Sequence, residues 1–479
     1  MSTHVGDSDL LTPVLSQPPL DESKHLSEYF ISSSHNTYLA KGQLYGQSTA
    51  EQYKNVLDAG ARCVEIDLWD GDNDEPKVTH GWTLTSNLSL RDACQAINEC
   101  IHSDDFPVII SLENHASIPQ QDKAVDILKE SFGDKLVSTP LEGVEVPTLA
   151  QLKGKVVVKV EYYPDSLQSL QEQVEHLQIE SGSDDDEETK KLRQEKEKVR
   201  PKMSSSLSAL GVIAMSVKPG NREWWNARSR ITEPRNAVIN VGESAMSKVC
   251  NDTRALADVR HTTKTQLVRV YPHGLRIDSR NLDPLPLWRG GAQIVALNFQ
   301  VFDKGLQLNK ALFANRGFIL KPKHVRMGET DADTRMRKLN IRVVGASDIE
   351  TKGKMFFRAK LYTMEEDVRF KTKSVAAPNP RWDEDFSWTY DESDSLAILR
   401  CKVGSLWIYN PSIILTLKIR SHMIFLSTVM RPSQPGVFAL PTLQTVFIWL
   451  KWMTRTATKA RLVFCWMYQE WMLDSLSSI

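Results

Sequence analysis

The 479-residue sequence has few cysteines and no pairing pattern among them. Cys63, Cys94, Cys100, Cys250, Cys401 and Cys465 show neither CxxC spacing nor the density of a disulfide scaffold, which argues against a stapled, secreted fold and for a reducing setting. Net charge is equally scarce. The 59 basic and 60 acidic residues leave −1, so no nucleic-acid partner is expected, and attraction to an anionic surface has to come from local basic patches. No basic flank with an apolar run follows Met1, so no signal peptide is expected, and Ser2 stands where myristoylation needs glycine. The apolar stretch Val437 to Leu450 contains Pro441 and falls short of the roughly 20 residues that span a bilayer. These absences point to a cytoplasmic protein.

What is present is core material. With 41% hydrophobic residues the chain can build two or three domains. Residues 1–24, rich in Ser, Pro and Asp, read as a flexible lead-in. Apolar runs at Tyr29 to Ile31, Cys63 to Leu68, Val108 to Leu112 and Val156 to Val160 alternate with helical spacing over Ser89 to Ile101 and Gln121 to Ser131. That alternation predicts an α/β fold with a mostly parallel sheet. The acidic run Asp184 to Glu188 and the charged residues up to Arg200 cannot build a core, and are read as a linker. Strand-like runs resume at Ala237 to Val241, Gln266 to Tyr271 and Ile294 to Phe299, with a helical stretch from Ser244 to Val259. After Arg326 the period becomes two, in Lys338 to Ala346 and Phe356 to Leu361, which predicts strands. Asp70 to Glu75 reads as a solvated turn, because Gly71 comes too early for a calcium loop and no glutamate closes it.

The segments that carry chemistry are Phe30 to Ala40 (FISSSHNTYLA), Val64 to Gly71 (VEIDLWDG), His80-Gly81 and Pro107 to His115 (PVIISLENH). They place two imidazoles and several oxygen donors near predicted strand ends, the equipment of metal-assisted phosphodiester cleavage. Alternation in Glu65-Ile66-Asp67 puts both carboxylates on one strand face. Asn36, Glu65, Asp67 and Glu113 are hard oxygen donors suited to calcium, which lowers the pKa of a coordinated hydroxyl.

In wording and spacing these segments resemble the X box of the eukaryotic phosphoinositide-specific phospholipases C, and residues 209–326 resemble the family's Y box. The resemblance is delta-like, without recognisable N-terminal modules. It implies a distorted (β/α)₈ TIM barrel split by a disordered linker and followed by a partial, C2-like β-sandwich. The expected divisions are a flexible segment 1–24, an X half 25–163, a linker 164–205, a Y half 206–326, a partial sandwich 337–403, and an apolar tail 404–479. The tail matches nothing in the family, which a gene-model or splicing error would explain.

The implied reaction is calcium-dependent hydrolysis of phosphatidylinositol 4,5-bisphosphate, or a related phosphoinositide, to diacylglycerol and inositol 1,4,5-trisphosphate. By resemblance, Asn36, Glu65, Asp67 and Glu113 would hold Ca²⁺, and His35 would stabilise the pentacovalent phosphorus. His80 would serve as general acid and then activate water, while either Glu65 or Glu113 would be the base. Lys159, Arg269 and Tyr271 would bind the headgroup, and His115 would play a supporting part. Leu44, Leu84 and Leu275 would form a rim dipping into the bilayer, covered by the acidic linker at rest. The implied partners are a phosphoinositide lipid and an anionic membrane surface, with peripheral association; no protein activator is identifiable. Two positions depart from the family pattern. Glu161 stands where a second lysine is usual and would repel a ring phosphate, and Asn240 stands where a serine is usual, so the preferred phosphoinositide is left open. Two rival readings are a catalytically silent phosphoinositide-binding scaffold on the same barrel and a phosphodiesterase of another glycerophospholipid. Intact His35 and His80 oppose the first; the Arg269/Tyr271 pair opposes the second.

Overall fold

The computed structural model describes residues 19–163 apart from 41, 44–46 and 82–85, and residues 203–326 apart from 220–222, 227–230, 275 and 277. Beyond these it describes 336–346, 353–363, 367–377, 379–391, 396–405, 413–420, 423–430, 446–452 and 460–463. The chain falls into two compact units, one of residues 20–309 and 315–330, the other of residues 331–479 with 1–19 and 310–314.

The first unit is a closed barrel of eight parallel strands: β1 (Tyr29–Ser34), β2 (Cys63–Trp69), β3 (Val108–Asn114), β4 (Val156–Glu161), β5 (Ala214–Val217), β6 (Ala237–Gly242), β7 (Leu267–Tyr271) and β8 (Ile294–Leu297). Each pairs with the next, and β8 returns to β1 through Ile31–Ile294 and Ser33–Ala296. The β1–β2 seam is short: Ser33 pairs with Cys63, and the Arg62 amide donates to the Ser32 carbonyl at 2.9 Å.

Side-chain alternation divides the barrel interior into steps. At the amino ends, Ile31, Cys63, Ile109, Val157, Ala214, Val238, Leu267 and Ile294 form one apolar cluster, the floor. Two residues along each strand the character changes to Ser33, Glu65, Ser111, Lys159, Ser216, Asn240, Arg269 and Ala296, all buried. Two residues further come His35, Asp67, Glu113, Glu161, Lys218, Gly242, Tyr271 and Asn298, at the carboxyl ends. The intervening positions, such as Ile66, Ile110, Val158 and Val268, are also buried, which is why these strands read as continuous apolar runs.

Helices Leu90–Glu99 and Ile118–Phe132 fall where the spacing predicts them. The first starts at Ser89, whose hydroxyl accepts from the Asp92 amide at 3.1 Å. The single helix expected over Ser244 to Val259 is two, Glu243–Asn251 and Thr253–Thr263. Asp252 leaves helical geometry (φ −93°, ψ 120°), and its Oδ1 accepts from the Arg254 and Ala255 amides at 2.9 and 3.1 Å, capping the second helix. Strand β5 was not expected, since four residues that include Met215 and Ser216 carry too little pattern. Residues 164–202 of the expected linker lie outside the described residues.

The second unit contains two antiparallel sheets. Phe357 of one sheet meets Trp382 and Phe386 of the other at ring-centroid distances of 6.4 and 6.3 Å, and the Trp382 indole N–H donates to the Met355 carbonyl at 3.4 Å. Strand pairing continues past residue 403. Ile413–Arg420 pairs with Ile398–Ser405, Met423–Met430 pairs with Ile413–Arg420, and Val446–Trp452 pairs with Met336–Ala346. Segments of the apolar tail thus supply strands to both sheets, because ladder pairing uses backbone groups that every non-proline residue carries. Among the described residues no helix is long and apolar enough to cross a membrane.

Ile109→Ala would empty part of the floor, where the side chain is 2% exposed. The expected cost is about 2–5 kcal/mol, read as a lower midpoint in thermal or denaturant unfolding. An unchanged midpoint would contradict the packing described.

Candidate functional site at the carboxyl end of the barrel

Strands β2 and β3 build the acidic centre. Their register sets Asp67 opposite Glu113 and Glu65 opposite Ser111. One carboxylate oxygen from each of Glu65, Asp67 and Glu113 lies within 4.8 Å of the others. The turn after β1 closes over them. Asn36 sits at φ 43°, a left-handed conformation asparagine tolerates, and its amide N–H donates to Glu65 Oε2 at 2.9 Å. Its side-chain Nδ2 donates to Gln43 Oε1 at 2.7 Å, which leaves Oδ1 as an acceptor. The Tyr38 hydroxyl donates to Asp67 Oδ2 at 2.6 Å, while Asp67 Oδ1 is buried without a partner.

Burial pushes the Asp67 carboxyl well above the usual range, and the neighbouring Glu113 and Glu65 charges add to it. Glu113 goes the other way. A hydrogen bond from His115, whose Nε2 lies 3.2 Å from Glu113 Oε1, holds it down to about 2. The His115 ring stacks on Trp69 with centroids 4.3 Å apart. An orphaned buried carboxylate oxygen inside a cluster of hard oxygen donors fits a divalent cation such as calcium.

The basic side of the site comes from the later strands. Arg269, expected to fork onto a phosphate, has two nitrogens engaged within the protein: Nη2 lies 2.5 Å from Glu65 Oε1 and Nη1 donates to Asn240 Oδ1 at 3.1 Å. Both partners in the Arg269–Glu65 pair are 3% exposed. Lys159 is buried beside them, and burial together with the Arg269 charge lowers its pKa to about 8. Tyr271 pairs in register with Gly242, and its ring lies 3.6 Å from where a Cβ on that glycine would be. The charge of Glu161 does not stand alone: Lys218 Nζ is 3.3 Å from Oε1, and the Tyr163 hydroxyl donates to Oε2 at 3.2 Å.

Both histidines are steadied through Nδ1. His35 donates to Asn298 Oδ1 at 3.0 Å, and His80 donates to the Gln43 carbonyl at 2.9 Å. Burial lowers the His35 pKa, with Glu65 opposing and Arg269 reinforcing the shift. Gly81 holds φ 40°, and a Cβ there would come within 2.7 Å of the Trp69 ring, so this glycine lets the His80 turn close on the indole. Gln43 and Asn298 are the organisers that sequence reasoning missed. Gln43 Nε2 donates to Asn298 Oδ1 at 3.2 Å and to the Ser279 hydroxyl at 3.1 Å, linking the turns that carry Asn36, His35 and His80. Strand alternation from Ala296 could have found Asn298; no local signal marks Gln43. Leu44, Leu84 and Leu275, expected at a membrane rim, lie outside the described residues.

Asp67→Asn removes one charge from the acidic centre. A divalent cation at a hundredfold excess over its Kd should stabilise the wild-type protein by about 2.7 kcal/mol and the variant far less. Thermal unfolding with and without Ca²⁺ checks this; equal stabilisation of both proteins would refute the cluster as a cation site.

Comparison with known proteins identifies the family. The family described as phosphatidylinositol-specific phospholipase C, X domain, matches residues 22–162, and the corresponding Y domain matches residues 207–324. The 1-phosphatidylinositol 4,5-bisphosphate phosphodiesterase delta-4 of Xenopus laevis is 38% identical over 328 residues, which cover 65% of this chain and 42% of the relative. The zeta-1 enzyme of Homo sapiens is 33% identical over 409 residues, 79% of this chain and 66% of the relative. The crystal structure of L. pealei PLC21 aligns with a TM-score of 0.65 and 29% identity, over 80% of this chain and 50% of that one. This chain thus spans less than half the length of the delta-4 relative. With both halves of the barrel matched in order and the acidic centre assembled at its mouth, the chain belongs to the phosphoinositide-specific phospholipase C family.

Proposed function

We propose that the protein hydrolyses phosphatidylinositol 4,5-bisphosphate, or a related phosphoinositide, in a calcium-dependent reaction that yields diacylglycerol and inositol 1,4,5-trisphosphate. It would work from the cytoplasm at an anionic membrane surface. One observation carries the reading: Glu65, Asp67 and Glu113 converge on one acidic centre, and Gln43 ties the turn of Asn36 to His80 and, through Asn298, to His35. The names of the matched relatives support the substrate.

Asn36, Glu65, Asp67 and Glu113 would hold the calcium ion. When bound, calcium acidifies the inositol 2-hydroxyl and offsets phosphate charge. Of the two candidate bases, Glu113 is favoured, because both Glu65 oxygens already accept, one from Asn36 and one from Arg269. The Glu113 side chain, 48% exposed, reaches the open mouth. The 2-hydroxyl proton passes to Glu113 as its oxygen attacks the adjacent phosphorus. His35, oriented by Asn298, stabilises the charge that builds on the phosphoryl oxygens. His80, oriented by the Gln43 carbonyl, gives its Nε2 proton to the departing diacylglycerol oxygen. It then takes a proton from the water that attacks the cyclic phosphate, while Glu113 returns its proton to the departing 2-oxygen. Lys159 and Arg269 would meet headgroup charge and Tyr271 would cover an apolar face of the ring, while Leu44, Leu84 and Leu275 would enter the lipid.

The test is calcium-dependent release of inositol phosphate from mixed micelles. His35→Ala and His80→Ala should each lower kcat by roughly 10²–10⁴-fold, and excess chelator should abolish release. Equal release by all three proteins, or release unaffected by chelator, would overturn the reading. Micelle binding without any release would identify a silent scaffold instead.

A further inference from the structure

We propose that Lys218, presented by the end of β5 and held by Glu161, is a ligand for a ring phosphate of the inositol headgroup. The inference rests on the phosphoinositide reading above and deepens it, because it assigns a specificity-determining residue that the strand β4 sequence alone denied.

Placement is the first argument. Ala214 belongs to the apolar floor, Ser216 is buried two positions later, and alternation turns the next odd member of the series, Lys218, toward the same interior. It stands one residue past the Val217–Ile239 pair, level with Asn240, whose side chain contacts Arg269. Its side chain is 39% exposed while that of Glu161 is 11% exposed, so the ammonium is tethered by a largely buried carboxylate yet open to the mouth. An ion pair on the outer surface would carry no such meaning.

Charge is the second argument. A phosphate monoester carries about −1.5 to −2 near neutral pH, and a bisphosphorylated ring brings two of them. Lys159 supplies one cation, but the Arg269 guanidinium is engaged by Glu65. Glu161, two residues after Lys159 and so roughly 7 Å along the same strand face, draws in the cation that β4 itself does not encode. Lys159 and Lys218 then flank the mouth from adjacent strands, which pair through Lys159–Ala214 and Glu161–Ser216. Tyr163 fixes the second Glu161 oxygen, so the carboxylate acts as a positioning group for Lys218.

The experiment uses the full chain and calorimetric titration with soluble inositol 1,4,5-trisphosphate and inositol 1-phosphate. Lys218→Met should weaken trisphosphate binding about tenfold and monophosphate binding less, so the affinity ratio shrinks, and Lys218→Arg should restore much of it. The same ratio should shrink in kcat/KM for bisphosphorylated against unphosphorylated lipid. Unfolding midpoints verify that the variants fold, and Lys218→Gln replaces any that does not. A folded variant with an unchanged ratio overturns the proposal and leaves the phospholipase reading standing. A wild-type protein that binds trisphosphate through Lys218 yet hydrolyses nothing overturns that reading and keeps this one, whereas a protein that binds neither probe overturns both.

Discussion

The ion pair between Glu65 and Arg269 is the contact on which the site depends. It joins β2 to β7 across 204 positions of sequence, with both side chains withdrawn from water. A buried pair of this kind adds little net stability compared with apolar packing, but leaving either charge unpartnered costs about 3–5 kcal/mol. Its value is therefore geometric. The guanidinium fixes one Glu65 oxygen, the Asn36 amide fixes the other, and the carboxylate is left in a single orientation beside Asp67. The β2–β3 register assembles the acidic centre within the first half of the barrel, and Arg269 from the second half fixes how Glu65 is turned within it.

The stepped interior explains why a folded barrel can hold so much charge at one end. The floor contributes apolar burial, and in the polar step above it Arg269 is held by Glu65 and Asn240. Carboxylates from β2 and β4 are met by cations from later strands, Glu65 by Arg269 of β7 and Glu161 by Lys218 after β5. The balance is incomplete at Asp67, where an unpartnered oxygen remains. That local deficit is what suits the acidic centre to a divalent cation in the proposed reaction.

Much of this was legible in the chain itself. The apolar runs of β1 to β4 and of β6 to β8 announced an α/β fold, and the Glu65-Ile66-Asp67 alternation announced two carboxylates on one face. Strand β5 escaped notice because four residues cannot establish a period, and with it went the partner of Glu161. The helix expected across Asp252 broke because an aspartate that caps one helix must stop the one before it. The strands that continue past residue 403 were hidden for another reason: composition unlike that of the family says nothing about which backbone edges are open to pair.

The amino-acid sequence alone determined the faces of the longer strands, such as Glu65-Ile66-Asp67 of β2, and the order in which the candidate site residues occur, because the first follows from a two-residue period and the second from the chain itself. Only the tertiary structure decided who meets whom. Arg269 turns to Glu65 rather than outward, Glu161 acquires Lys218, and Gln43 draws together three separate turns. Those are long-range choices made by barrel closure and charge complementarity in a buried space, and no local pattern encodes them.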